Sequence, residues 1–134
     1  MAAPLLVGVV LLLAAIPTAA YFTQRQHQQQ FLRRERLSPA DIFRRHYIRE
    51  GWSNEVFCAR WNAMAKVLHF PADCLRPTDR LIDLVSTTTR RLWGARVLDD
   101  LEHHILVTTD RHAPDPARFE TIDEVIRYLC AHGN

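Results

Sequence analysis

Residues 121–133 read TIDEVIRYLCAHG. Thr121 and Glu124 stand three apart, the spacing of a capping box, in which each side chain satisfies an orphan amide at the other's position. Ile122, Val125, Ile126 and Leu129 follow at i, i+3, i+4 and i+7, one face of an α-helix, and Gly133 stops it. A helix with a single apolar stripe needs partners of the same periodicity, so the fold class turns on whether the rest of the chain supplies them.

It does, upstream. Ser53 caps a helix predicted over Asn54 to Leu68, with Glu55 in the first turn where the macrodipole favours an acid. Phe57, Trp61, Met64 and Leu68 form its stripe, widened by Val56, Ala59, Ala63 and Val67. Another helix is expected to begin between Ser86 and Arg90 and to reach about Ile105, with Trp93, Val97, Leu101 and Ile105 on its stripe and Leu92 and Leu98 beside it. Between the two, Pro71 and Pro77 exclude a helix interior from HFPADCLRPTDRL (69–81), a structured loop in which Leu75 and Leu81 plug the core. LVTTDRHAPDPARF (106–119) is a connecting loop, its Leu106 and Val107 tucked inward and its Asp110, His112 and Asp115 solvated. The expectation is all-α: a small helical bundle over residues 52–134, 83 residues, enough for one modest core.

Residues 1–22 are of another kind. From Ala2 to Phe22 no charged side chain occurs, and roughly 20 apolar residues are what a helix needs to cross a bilayer. Nothing basic precedes Pro4, which favours a retained transmembrane anchor over a signal peptide cut after Ala20. Arg25, Arg33, Arg34 and Arg36 follow the run, so the positive-inside rule places the protein as a single-pass chain in the inner, cytoplasmic membrane, its C-terminal domain in the cytoplasm. Cys58, Cys74 and Cys130, odd in number and without ligand spacing, suit a reducing compartment. Residues 23–37, Gln- and Arg-rich, read as a solvated juxtamembrane spacer or a helical extension of the anchor. Residues 38–51 read as a basic amphipathic helix, started by Ser38 and Pro39 and ended by Gly51, with Ile42, Phe43, His46 and Tyr47 on its apolar face, packed on the domain in preference to lying on lipid. The formal net charge is only +2, but residues 23–50 hold seven Arg against Glu35, Asp41 and Glu50. Arg33, Arg34, Arg36, Arg44 and Arg45 are the expected membrane-surface residues, and because the remainder is net acidic, nucleic acid is not an expected partner.

A long helix, the loop LRPTDRLIDL (75–84), a helix ending in LDDLEHHI (98–105) and a last helix opened by TIDEVIRYL together resemble the acyl carrier protein family over residues 53–131. Leu75, Asp79, Leu81 and Asp83–Leu84 stand where that family has its loop leucine and its acid-leucine pair. The resemblance implies a carrier-like four-helix domain and, as a cofactor, 4′-phosphopantetheine on a serine inside Asp-Ser-Leu. No Asp-Ser-Leu is present: counting forward from Asp83–Leu84 reaches Thr88, counting back from Leu101–Glu102 reaches Arg91, and Ser86 is the one serine after Ser53. The carrier family presents an acidic second helix, whereas this one opens with Arg90, Arg91 and Arg96.

Ser86, Thr87, Thr88, Thr89, Arg90, Arg91 and Arg96 are therefore the candidate site, of two possible kinds. Hydroxyls, guanidinium groups and free helix-start amides together suit an anionic ligand or a protein partner, with no cofactor and no enzyme activity. Alternatively Ser86 carries phosphopantetheine in a divergent carrier that serves membrane-associated acyl synthesis or transfer. No metal site is expected: Glu102, His103 and His104 are sequential, and His69 with Cys74 and Cys130 with His132 lack a second pair. No catalytic residue is assigned. Trp61 and Trp93 are expected in the core, each indole N–H needing an acceptor, and Trp52 packs beside the helix cap or sits at the membrane interface.

Overall fold

The computed structural model describes residues 29–87, 91–110 and 118–133, together with isolated positions before residue 29; of residues 86, 87 and 91–95 it describes the backbone only. Five named helices follow in order: α1 (Pro39–His46), α2 (Asn54–Leu68), α3 (Leu81–Thr87), α4 (Arg91–Thr109) and α5 (Ile122–His132). Among the described residues the only β pairing is an isolated bridge between Arg80 and Thr121, so the chain there is all-α. Most of the expected anchor, residues 2–22, lies outside the described residues, and among those described no helix is long and apolar enough to cross a membrane.

Local chemistry explains the helix ends. Ser38 Oγ accepts from Asp41 N at 3.2 Å, and Ser53 Oγ accepts from Val56 N at 3.1 Å, each satisfying one amide that the helix itself cannot. α2 ends at His69, in the left-handed region at φ 58, and its amide turns back to Ala65 and Lys66 carbonyls. At α5 Thr121 Oγ1 accepts from Glu124 N, while the returning carboxylate of Glu124 accepts from Glu120 N at 2.6 Å, one residue earlier than a strict capping box.

α2 is the hub and touches α1, α4 and α5. Its Phe57, Trp61, Met64, Ala65 and Leu68 are buried, as are Val97, Leu101 and Ile105 of α4 and Ile122, Val125, Ile126 and Leu129 of α5. Leu75 and Leu81 plug the core as expected, and Trp61 Nε1 donates to Ala72 O at 2.9 Å, pinning the loop to α2. Rings line the junction with α1: Phe43 lies 5.3 Å and Tyr47 4.8 Å from Phe57, and Trp61 of α2 stacks on Phe57 at 5.6 Å. Trp52 packs against Tyr47, ring centroids 5.8 Å apart and tilted by 30°, beside the core.

Several expectations need correction. Leu106 and Val107 do not tuck inward; they are 42% and 66% exposed, because α4 continues to Thr109 and keeps its inward series at 97, 101, 105 and 109. Thr109 ends it with Oγ1 donating to Ile105 O at 2.7 Å, and Asp110 turns the chain at φ 49. The segment after Arg80 is not loop as far as Ser86: Leu81, Leu84 and Val85 bury one side of α3. α1 stops at His46, which is exposed, and Gly51 shapes the following turn at φ 79, a conformation costly for any side chain.

The largest correction concerns residues 31–37. Phe31 packs edge-on against Phe70 at 5.9 Å, Leu37 is buried, and Leu37 N donates to Asp73 O at 3.0 Å. This part of the expected spacer is an arm of the domain. The core runs from Leu37 through α1 to Leu129 without a break at residue 52, because Ile42, Phe43 and Tyr47 supply apolar surface that α2 and α5 alone leave open.

Candidate functional site

The hydroxyl- and arginine-rich site predicted at a helix start falls where two helices flank residues outside the described set. Ser86 and Thr87 are the last described residues of α3, and Arg91 is the first of α4. Thr88, Thr89 and Arg90 lie outside the described residues, and Arg96, five residues into α4, is exposed. The expected loop residues His112 and Asp115 and the side chain of Trp93 also lie outside what is described.

The arginines expected at the membrane surface divide as well. Arg33 and Arg45 are exposed. Arg44 pairs with Asp41 on the outer side of α1, where Ser38 first and Arg44 second hold the Asp41 carboxyl below its ordinary range. Arg36 meets Asp73 at 3.1 Å. Arg34 departs from the expectation: its Nη1 donates to both carboxylate oxygens of Asp79 at 2.7 and 2.8 Å, and its guanidinium lies 4.3 Å over the Phe31 ring. Asp79 is 6% exposed and accepts a third bond from Arg76 N at 2.8 Å. A buried carboxylate needs such donors and a countercharge, so Arg34 is drawn inward and the arm is fastened over the loop.

A second polar cluster was not legible. The Tyr47 hydroxyl, at the end of a fully buried ring, donates to Asp123 Oδ1 at 2.6 Å; Arg127 Nε donates to both Asp123 oxygens at 3.0 Å, and Arg127 Nη1 donates to Glu50 at 2.6 Å. Burial first, and Asp123 second, push the Tyr47 phenol far above its ordinary value. Glu50 foremost raises that of Arg127. The cluster holds α1 and its following turn on α5. The i, i+4 spacing of Asp123 and Arg127 was visible in sequence; the partners Tyr47 and Glu50, 76 and 77 residues away, were not.

Between α2 and α4 runs an open groove of about 180 Å³, lined by Val56, Ala59, Arg60, Ala63 and His104. His104 Nε2 is buried there without a hydrogen-bond partner. Desolvation, then the Arg60 and His103 charges, lower its affinity for a proton. The three cysteines are free thiols; burial pushes Cys130 up to about 11 and raises Cys58 and Cys74, the reverse of what a thiolate nucleophile requires. Among the described residues no three His, Cys, Asp or Glu side chains gather as metal ligands. No protein-family model, curated protein or solved structure matches the chain.

Proposed function

We propose that this protein is a non-enzymatic, membrane-tethered helical module, held by residues 2–22 in the cytoplasmic membrane with its domain on the cytoplasmic side. It docks a protein partner or an anionic ligand at the basic start of α4, through Thr87 to Arg91 and Arg96. The observation that carries the tethered part is the fastened arm. Only residues 23–30 separate the apolar run from Phe31, which already packs on Phe70. Eight residues span at most about 28 Å, less than the diameter of a domain this size, about 33 Å. A domain so joined works at the membrane face and not at a distance from it. The docking part rests on the excess of arginine at a helix start, where a bound anion relieves the opposition between those charges and the macrodipole.

Two measurements test the two parts. The full chain is expected to stay in the membrane pellet after alkaline carbonate extraction; a soluble product beginning at Tyr21 would refute the tether. Arg90→Ala with Arg91→Ala is expected to weaken partner or anion capture and flatten its salt dependence, and unchanged capture refutes the docking site.

The order of long helix, plugged loop, helix and capped last helix supports a second reading, that of a divergent acyl carrier bearing 4′-phosphopantetheine on Ser86. Incubation with coenzyme A and a broad-specificity phosphopantetheinyl transferase then gives a mass gain that Ser86→Ala abolishes. No gain leaves the non-enzymatic module.

A further inference from the structure

The turn that follows α1 leaves an aliphatic side chain among cations, and neither the core nor the polar clusters make use of it. Ile42, Phe43 and Tyr47 face inward; Arg44, Arg45, Ile48 and Arg49 are exposed, Ile48 at 61%. Asp41, Arg44 and Arg45 lie off the buried stripe of α1, and Ile48 stands exposed in the turn that follows. Asp41 is matched by Arg44, and Glu50, the one acid in residues 44–50, is turned to Arg127. What remains outward is a branched apolar side chain flanked in sequence by the exposed guanidinium groups of Arg45 and Arg49.

We infer that Arg45, Ile48 and Arg49 form a membrane-contact surface for an anionic leaflet, with Ile48 reaching the headgroup boundary and the two guanidinium groups pairing with lipid phosphates. This rests on the tethered reading of residues 2–22. Continuity selects lipid as the occupant. α1 begins two residues after the arm ends at Leu37, and the arm in turn begins within eight residues of the apolar run, so this face belongs to the part of the domain nearest the bilayer along the chain. Charge complementarity selects an anionic surface, since each arginine close to such a leaflet is worth roughly fivefold in occupancy. Ile48 adds apolar area that a purely electrostatic contact would not use. Arg34, turned to Asp79, takes no part.

The test is amide NMR of the full chain in lipid nanodiscs carrying a headgroup spin label. One set of discs is pure phosphatidylcholine; in the other, phosphatidylglycerol replaces part of it. Amides of residues 45–49 are expected to broaden in the anionic discs and to sharpen in Arg45→Gln/Arg49→Gln, for which the double loss is roughly 25-fold in occupancy; Ile48→Ser sharpens them in part. All three side chains are exposed, and unchanged α5 resonances show that each variant folds. If residues 45–49 stay as sharp as α5 in anionic discs while residues before Arg33 broaden, the contact surface is overturned and the tether stands. If the chain does not incorporate into discs at all, both fall.

Discussion

Replacing Arg34 by alanine tests whether the arm is part of the domain. Asp79 would keep the bond from Arg76 N and lose its only ion-pair partner among the described residues, together with both contacts from Arg34 Nη1. Breaking a fully buried pair costs about 3–5 kcal/mol, whereas exposed pairs contribute about 0–1. Here the Asp79 side chain is 5% exposed and that of Arg34 31%, so the carboxylate stays dry while the cation keeps part of its hydration. An intermediate loss of about 2 kcal/mol follows, with a few tenths more from the contact over Phe31. For a domain of this size that lowers the midpoint of thermal unfolding by about 10 °C. A double-mutant cycle with Asp79→Ala, read by urea unfolding under circular dichroism, isolates the pair, and the expected coupling is about 1.5 kcal/mol. A coupling below about 0.5 kcal/mol would refute the reasoning and return residues 31–37 to the status of a solvated spacer.

Two further predictions follow from the same geometry. Tyr47→Phe keeps the ring against Phe57 and Trp52 but deletes the bond to Asp123; because Arg127 still serves that carboxylate, the expected loss is about 1.5 kcal/mol in urea unfolding, and a loss near zero would mean that the hydroxyl does not hold α1. For His104, burial and the charges of Arg60 and His103 depress the folded-state value below the ordinary 6.5. The unfolded chain thus binds the extra proton first, and this contribution to stability, present above that value, is lost as pH falls through it. His104→Gln should reduce the slope of stability against pH between about 7 and 5, and an unchanged slope in urea titrations at several pH values would contradict it.

How far the fold can be read from sequence depends on how local its causes are. α2 occupies Asn54–Leu68 as expected because cap, first-turn acid and stripe all lie within sixteen residues, 53 to 68, and α5 was legible for the same reason. α3 was missed because two turns offer little periodicity and Thr87 opens a β-branched run; Leu81, Leu84 and Val85 at i, i+3 and i+4 were its only signal. The end of α4 was misjudged by stopping the inward series at Ile105, when Thr109 continues it through a bond to its own helix. The fastening of Arg34 to Asp79, 45 residues apart, has no local signature. Of the candidate site, the chemistry of Ser86 to Arg96 was legible as residue types, but the placing of Ser86 and Thr87 in α3 was not, since seven residues give too short a periodic pattern.

The row of rings from Trp52 through Tyr47 and Phe57 to Trp61 has a spectroscopic consequence. Aromatic side chains locked in fixed, chiral proximity give near-ultraviolet circular dichroism, and this row exists only while α1 is seated on α2. Helix content, read in the far ultraviolet, is carried mainly by α2, α4 and α5. The protein therefore contains its own optical gauge: if a ligand, a lipid surface or an arm variant lifts α1, the aromatic band fades while the helical signal holds, and the two wavelengths separate undocking from unfolding without any label.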